Sequence, residues 1–251
     1  MKVVVVFFLM LITSFSAFAE DQPTRYTELV SYVQEAPDQG ETNTCLFVAS
    51  TGAIELLANK KEGIKNPLPY GKYDLSESFT INAPVYTSRR KYFWEVPVLK
   101  YNYGHGVHIN DWPYTAWNEG QPSDEPWTYR NWNQMPKVTV PRVQTIPLFV
   151  FGDKWSTNVL IQKQIDAIKA ALWKYKSPIL VNYNDSEFWH VVLIVGYDDN
   201  MPGDCYEITK EECGTAGSFY VRDSFGIPVE IRDYDWFRIK GNAAFVVKEV
   251  E

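Results

Sequence analysis

The chain has 251 residues, is 45% apolar and 16% aromatic, and carries 24 Lys and Arg against 31 Asp and Glu, a net charge of −7. That composition belongs to a globular protein and excludes a disordered one, and the length suits one large domain or two closely packed lobes. The acidic balance argues against nucleic acid as the partner, because binding phosphates needs a basic face.

The chain opens with a leader, "MKVVVVFFLMLITSFSAFA": one lysine, an apolar run from Val3 to Ile12, then the small-residue site Ala17-Phe18-Ala19. This is the layout of a secretory signal peptide over residues 1–19, cut before Glu20. The apolar run is too short for a membrane span, and no later stretch is long and apolar enough, so no membrane association is expected after cleavage. Removing 19 residues leaves 232, and losing Lys2 leaves 23 basic against 31 acidic residues, a net −8. The expected location is secreted or periplasmic.

Residues 45–61, "CLFVASTGAIELLANKK", read as a helix that is apolar around much of its circumference and therefore buried. Asn43 or Thr44 can cap its start and Gly63 can end it. Cys45 then lies in the first turn, where free backbone N–H groups and the helix dipole favour a thiolate over a thiol. "DLSESF", residues 74–79, predicts a short helix capped by Ser76 or Asp74. Residues 86–133 hold twelve aromatics, five of them Trp, with no sustained period. They predict irregular structure packed by rings, with a sugar-binding surface as the sharper alternative.

The second half is more regular. "VLIQKQIDAIKAALWKY" puts Ile161, Ile165, Ile168 and Leu172 on one helical face, and Ser177-Pro178 ends it. Four strands are predicted after it: residues 179–183, 190–197, 218–224 and 243–249. Helices followed by strands point to an α+β protein with two unlike lobes.

There are three cysteines. A secreted chain can pair them. Cys205 and Cys213 sit eight apart in the polar stretch "GDCYEITKEECG" and can close a small ring, which stabilises by about 2.5 kcal/mol in the loop-entropy picture. Cys45 is then left over: a link to another chain, a reactive thiol, or a buried inert cysteine. Attack by sulfur on a carbonyl needs a thiolate, a base and donors for the oxyanion. The candidate bases are His105, His108 and His190. His190 opens the apolar strand "WHVVLIVGY", where a histidine can equally be a satisfied core residue. His105 and His108 form an H-x-x-H pair, but no third ligand stands at a fixed offset and the Gly-rich context is no aligning helix, so no metal is expected. No nucleotide fingerprint or phosphate loop is present, so no cofactor is expected.

Read together, four segments carry a resemblance. "QGETNTCLFVASTGAIE" resembles the active-site helix of papain-like cysteine peptidases, with Gln-Gly at the same distance before the nucleophile. "DLSES" resembles that family's Leu-Ser-Glu helix start, "WHVVLIVGYDD" the strand of the catalytic histidine, and "GSFYVRDSFG" the strand ending in Asn-Ser-Trp-Gly. The order matches too, over essentially the whole mature chain and weakly in the aromatic middle.

The resemblance implies a two-lobe α+β fold over residues 20–251. A helical lobe spans roughly 39–125, a β-rich sheet or barrel lobe roughly 126–251, and the active-site cleft lies between them. It implies a thiol-dependent hydrolase acting on a peptide or protein substrate, with a monomer expected. Cys45 would be the nucleophile, His190 the general base and acid, and Gln39 an oxyanion donor beside the Cys45 backbone N–H. The orienting asparagine falls on Asp223, which can accept the second ring N–H of His190 and raise its basicity. Phe225 falls where a tryptophan shields that hydrogen bond. Thr42 replaces a cysteine and Leu46 a tryptophan, so the disulfide before the nucleophile is missing, consistent with a free Cys45. The longer stretch from His190 to Asp223 holds the Cys205–Cys213 loop. The Gly-Gly substrate segment has its nearest candidate in Gly104 to His108. Only 19 residues, Glu20 to Asp38, precede Gln39, too few for a long inhibitory propeptide, and with the short leader this points toward a bacterial protein. The aromatic segment 86–133 is expected to cover part of the cleft. Two other functions fit the same residues. One is a transglutaminase-like or bacteriocin-processing Cys-His-Asp enzyme. The other is a weakly active or inactive papain-fold binding protein.

Overall fold

The computed structural model describes residues 22–82, 96–114, 134–150, 162–185, 188–202 and 217–250. The leader, the Cys205–Cys213 loop and most of the aromatic segment 86–133 lie outside the described residues.

β1 (Arg25–Tyr26) comes first, followed by α1 (Cys45–Glu62). Fourteen of the eighteen residues of α1 are buried, from Cys45 to Asn59, as its all-round apolar character predicts. Each of Val48, Ile54, Leu56 and Leu57 removed from water contributes about 1.5–3 kcal/mol. Thr44 stands at the N-cap without a side-chain cap bond. Gly63, left-handed at φ 68°, closes the helix by donating to the Asn59 and Lys60 carbonyls. α2 (Glu77–Asn82) is capped by Ser76, one of the two caps the sequence offers, with the Phe79 N–H donating to Ser76 Oγ at 3.1 Å, and it runs to Asn82 instead of ending at Phe79. α3 (Val96–Leu99) runs into a 3-10 turn that Gly104 ends at φ 77°. β2 (His105–Gly106) pairs with β3 (Val138–Thr139).

The rest forms the second lobe: β4 (Val143–Val150), α4 (Gln162–Tyr175), β5 (Ile179–Asp185), β6 (Phe188–Asp198), β7 (Ser218–Arg222), β8 (Glu230–Asp233), α5 (Tyr234–Lys240) and β9 (Gly241–Glu249). Among the described residues, seven strands make one antiparallel sheet in the order β4-β9-β5-β6-β7-β8, with β1 pairing to the far end of β6. The four strands visible in the sequence are its centre. The edge strands were not foreseen, because β4 carries Pro147 beside a bulge and β8 is the charged "EIRD". Leu180, Val181, Val192, Leu193 and Ile194 are buried on the two faces of the sheet, and Ile165, Ile168 and Leu172 of α4 are buried as predicted, while Ile161 lies outside the described residues.

The helical lobe meets the sheet where α1 lies against β6, β5 and β9, and Arg222 at the end of β7 reaches α1 through its side chain. Arg222 ends β7 and is fully buried there. Its guanidinium donates to the carbonyls of Gln34 (2.8 Å), Val48 (3.0 Å) and Glu35 (3.2 Å), and to Glu55 Oε2 of α1 (3.1 Å). Glu55 Oε1 in turn accepts the Leu75 N–H at 2.8 Å. Gly52 makes room for this contact, since a Cβ there would lie 2.1 Å from Arg222 Nη1. The tie fixes the residue after Arg222 against the start of α1.

Candidate active site

The local structures bring three side chains together. Cys45 is the first residue of α1, where a helical N–H has no intrahelical acceptor. His190 sits on β6, cross-strand from Tyr183 of β5. Asp223 follows β7. All three are buried, at 8%, 1% and 2% exposure. His190 Nε2 bonds to Asp223 Oδ1 at 2.6 Å. Cys45 lies close enough to His190 to act on its titration, and with Nε2 bonded to Asp223 the remaining ring nitrogen is Nδ1. The sulfur also lies 4.0 Å from the Trp189 carbonyl oxygen. Among the described residues Cys45 is a free cysteine.

Rings enclose the imidazole. Phe225 stacks on it at 5.5 Å between centroids and 18° between planes, while Tyr183 meets it edge-on at 5.2 Å. Phe225 itself is 45% exposed, so it forms the outer wall. Burial disfavours the imidazolium, but the Asp223 hydrogen bond and the Cys45 sulfur outweigh it and push His190 up to about 9. Burial likewise works against the Asp223 carboxylate. The bond to His190, the Arg232 charge and the Ser224 N–H hold it below the usual carboxylate range.

Gln39 reaches the site from the preceding loop. Its backbone N–H donates to the Ser224 carbonyl at 2.8 Å, and Asp38 bridges to Phe225 in antiparallel fashion. Its Oε1 accepts from Ser224 Oγ at 2.5 Å, and Nε2 donates one of its two hydrogens to the Thr42 carbonyl at 2.7 Å. Ser224 therefore couples Gln39 to Asp223, whose Oδ1 accepts the Ser224 N–H at 2.6 Å.

Sequence reasoning missed two residues here. Tyr114 bonds through its hydroxyl to Thr44 (2.8 Å) and Thr42 (3.2 Å), and Thr42 bonds to Thr44 at 2.7 Å. This hydroxyl cluster stands where the resemblance has a half-cystine before the nucleophile. Arg232 of β8 bonds to the second oxygen of Asp223 at 2.5 Å. A buried aspartate next to a histidine calls for such a counter-charge, and "VEIRDY" was the segment to search for it.

In the Gly104 to His108 segment, Gly104 lies against Arg142 and Val140, Gly106 against Tyr101 and Leu75, and His108 forms a bridge with Leu75. Of the described aromatics in 86–133, Tyr101 and Trp112 are buried, while Tyr103 is exposed. Among the described residues no group of three His, Cys, Asp or Glu side chains is arranged to hold a metal ion, and no helix is long and apolar enough to cross a membrane.

No family model and no curated protein matches the chain. Solved structures do. The chain is similar to digestive procathepsin L 3 of Tenebrio molitor larval midgut, at 15% identity and TM-score 0.57 over 92% of this chain and 71% of that one. It is similar to xylellain, a cysteine protease from Xylella fastidiosa, at 15% identity and TM-score 0.56 over 94% and 90%. It is also similar to the cysteine protease and lectin-like domains of Cwp84 of Clostridium difficile, at 16% identity and TM-score 0.59 over 92% of this chain and 53% of that one.

Proposed function

The chain has the papain-like α+β fold, and we propose that it is a secreted cysteine peptidase that hydrolyses peptide bonds through Cys45. The observation that carries this reading is the buried line Cys45–His190–Asp223, with the outer hydrogen bond at 2.6 Å. A thiol facing one nitrogen of an imidazole, whose other nitrogen is fixed by a carboxylate, is the arrangement that thiolate chemistry requires.

In the proposed cycle the Cys45 proton passes to His190 Nδ1. The sulfur attacks the substrate carbonyl carbon, forming a C–S bond. The second Nε2–H of Gln39 and the Cys45 backbone N–H receive the oxyanion. His190 returns the proton to the leaving nitrogen as the C–N bond breaks. Water, deprotonated by His190, then attacks the acyl-thioester and releases a carboxylate and the thiol. Asp223 holds the ring tautomer and Phe225 keeps water from the His190–Asp223 bond.

The test is turnover of denatured protein and fluorogenic peptides by the mature chain, with a small amine added in parallel. The reading predicts new carboxylate termini and full loss of turnover when Cys45 is alkylated. Amide products in the amine arm and no hydrolysis would replace it with acyl transfer. Absence of turnover with an unreactive Cys45 would replace it with a binding protein.

A further inference from the structure

Asp223 is a charge where a papain-like site has a neutral amide, and that change needs an answer in the structure. A carboxylate with a fully buried side chain carries a desolvation penalty of several kcal/mol unless it is paired and bonded. It would also hold an imidazolium far more tightly than an amide does, which makes His190 a poor proton donor to a leaving group.

Arg232 supplies the answer. Its Nη2 bonds to Asp223 Oδ2 at 2.5 Å, so each carboxylate oxygen has its own partner: His190 and the Ser224 N–H on Oδ1, Arg232 on Oδ2. The carboxylate cannot rotate without losing one of them. Arg232 is itself held. Its side chain is mostly buried, its Nε and Nη2 bond to Glu230 at 3.0 and 2.8 Å, and its guanidinium lies over the Trp236 ring at 4.6 Å. Trp236 packs edge-on to Tyr183 at 4.4 Å, which packs on His190. One rigid path of rings and ion pairs thus surrounds the imidazole.

We propose that Arg232 is a positioning residue of the active site, which aims Asp223 at His190 and offsets its charge so that an aspartate can take the place of an amide. This rests on the peptidase reading above. The Arg232 charge offsets that of Asp223, although Glu230 also draws on it, and Asp223 still presents an acceptor oxygen to Nε2. The charged and titratable groups facing His190 are Cys45 from α1, Tyr183 from β5, Asp223 after β7, and Arg232 with Glu230 from β8. Removing Arg232 leaves two carboxylates near the imidazole with no cation between them. His190 then titrates higher and gives up its proton more slowly.

The experiment compares wild type, Arg232→Gln, Arg232→Lys, Asp223→Asn and the Asp223→Asn/Arg232→Gln double variant. His190 is titrated by NMR, and kcat and KM are measured against pH. The expected result for Arg232→Gln is an upward shift of the His190 titration and a tenfold or larger fall in kcat with KM little changed. Arg232→Lys, which keeps the charge and loses the fork, recovers most of the shift. In the Asp223→Asn background the same Arg232→Gln change costs less than threefold, because its partner is gone. An unmoved His190 titration in Arg232→Gln, or an equal loss in both backgrounds, overturns the inference. If the titration shifts as expected while wild type turns over no peptide, the peptidase reading fails and the role of Arg232 stands.

Discussion

Arg222 and Arg232 lie on the neighbouring strands β7 and β8, and each binds a buried carboxylate. Arg222 points into the lobe interface, where three backbone carbonyls and Glu55 accept from it. Arg232 points to Asp223, which shares its other oxygen with His190. The partners of Arg222 are mostly fixed backbone groups, and none of them has to change its charge. The partner of Arg232 is bonded to His190, which in the proposed cycle gains and loses a proton. Similar guanidinium–carboxylate contacts therefore serve two ends in this reading: one ties α1 to the sheet, and the other, as proposed above, tunes His190.

The sharpest separation comes from Cys45→Ser. It is expected to lower peptide turnover 10³-fold or more, while the melting temperature stays within about 2 °C, because the packing at the head of α1 is nearly unchanged. Turnover assays and thermal melts on the same preparation check both halves. A large drop in melting temperature would make the thiol part of the core rather than of the chemistry.

Arg222→Met should do the reverse. It leaves Glu55 buried without its cation and frees three carbonyls, so a loss of about 3–5 kcal/mol is expected in urea unfolding. The NMR titration of His190 in the folded fraction should remain close to wild type. A titration that moves as far as in Arg232→Gln would erase the distinction between the two arginines.

Glu77 gives the smallest effect. It is buried at the start of α2, its Oε2 makes no hydrogen bond among the described residues, and burial pushes it up to about 7 against the pull of Arg222. Its folded value lies above its unfolded one of about 4.3. The folded state therefore binds the proton more tightly, and stability falls as pH rises from about 4.3 through about 7. Glu77→Gln should gain about 3 kcal/mol at pH 8 and nearly nothing at pH 4 in urea titrations. Equal effects at both pH values would mean that Glu77 is not the titrating group.

The sequence was most legible where the pattern was strong. The all-round apolar run after Cys45 gave α1 to within one residue at its end, and the four apolar strands gave the centre of the sheet. Edge elements were illegible for physical reasons. β8 is four residues long and charged, and β4 contains a proline, so neither has the alternation that marks a half-buried strand. In the site, Cys45, His190, Gln39, Asp223 and Phe225 were named by the resemblance of four segments to papain-like peptidases. Arg232 and Tyr114 were not, because they belong to no motif and reach the others only through the fold. An unusual residue such as Asp223 was itself the signal that a compensating partner should exist.

His190 sits at the centre of the account. Its folded value of about 9 lies above its unfolded value of about 6.5, so the imidazolium stabilises the site fully below pH 6.5 and the contribution fades as pH rises through about 9. The most direct measurement is the pH dependence of Cys45 alkylation by iodoacetamide on unreduced protein, mapped by peptide mass, with His190→Ala beside it. The account predicts rapid labelling at Cys45 in mild acid that His190→Ala abolishes, as a preformed thiolate–imidazolium pair demands. Labelling that rises only near an ordinary thiol value of about 8.5 and is the same in both proteins would contradict it.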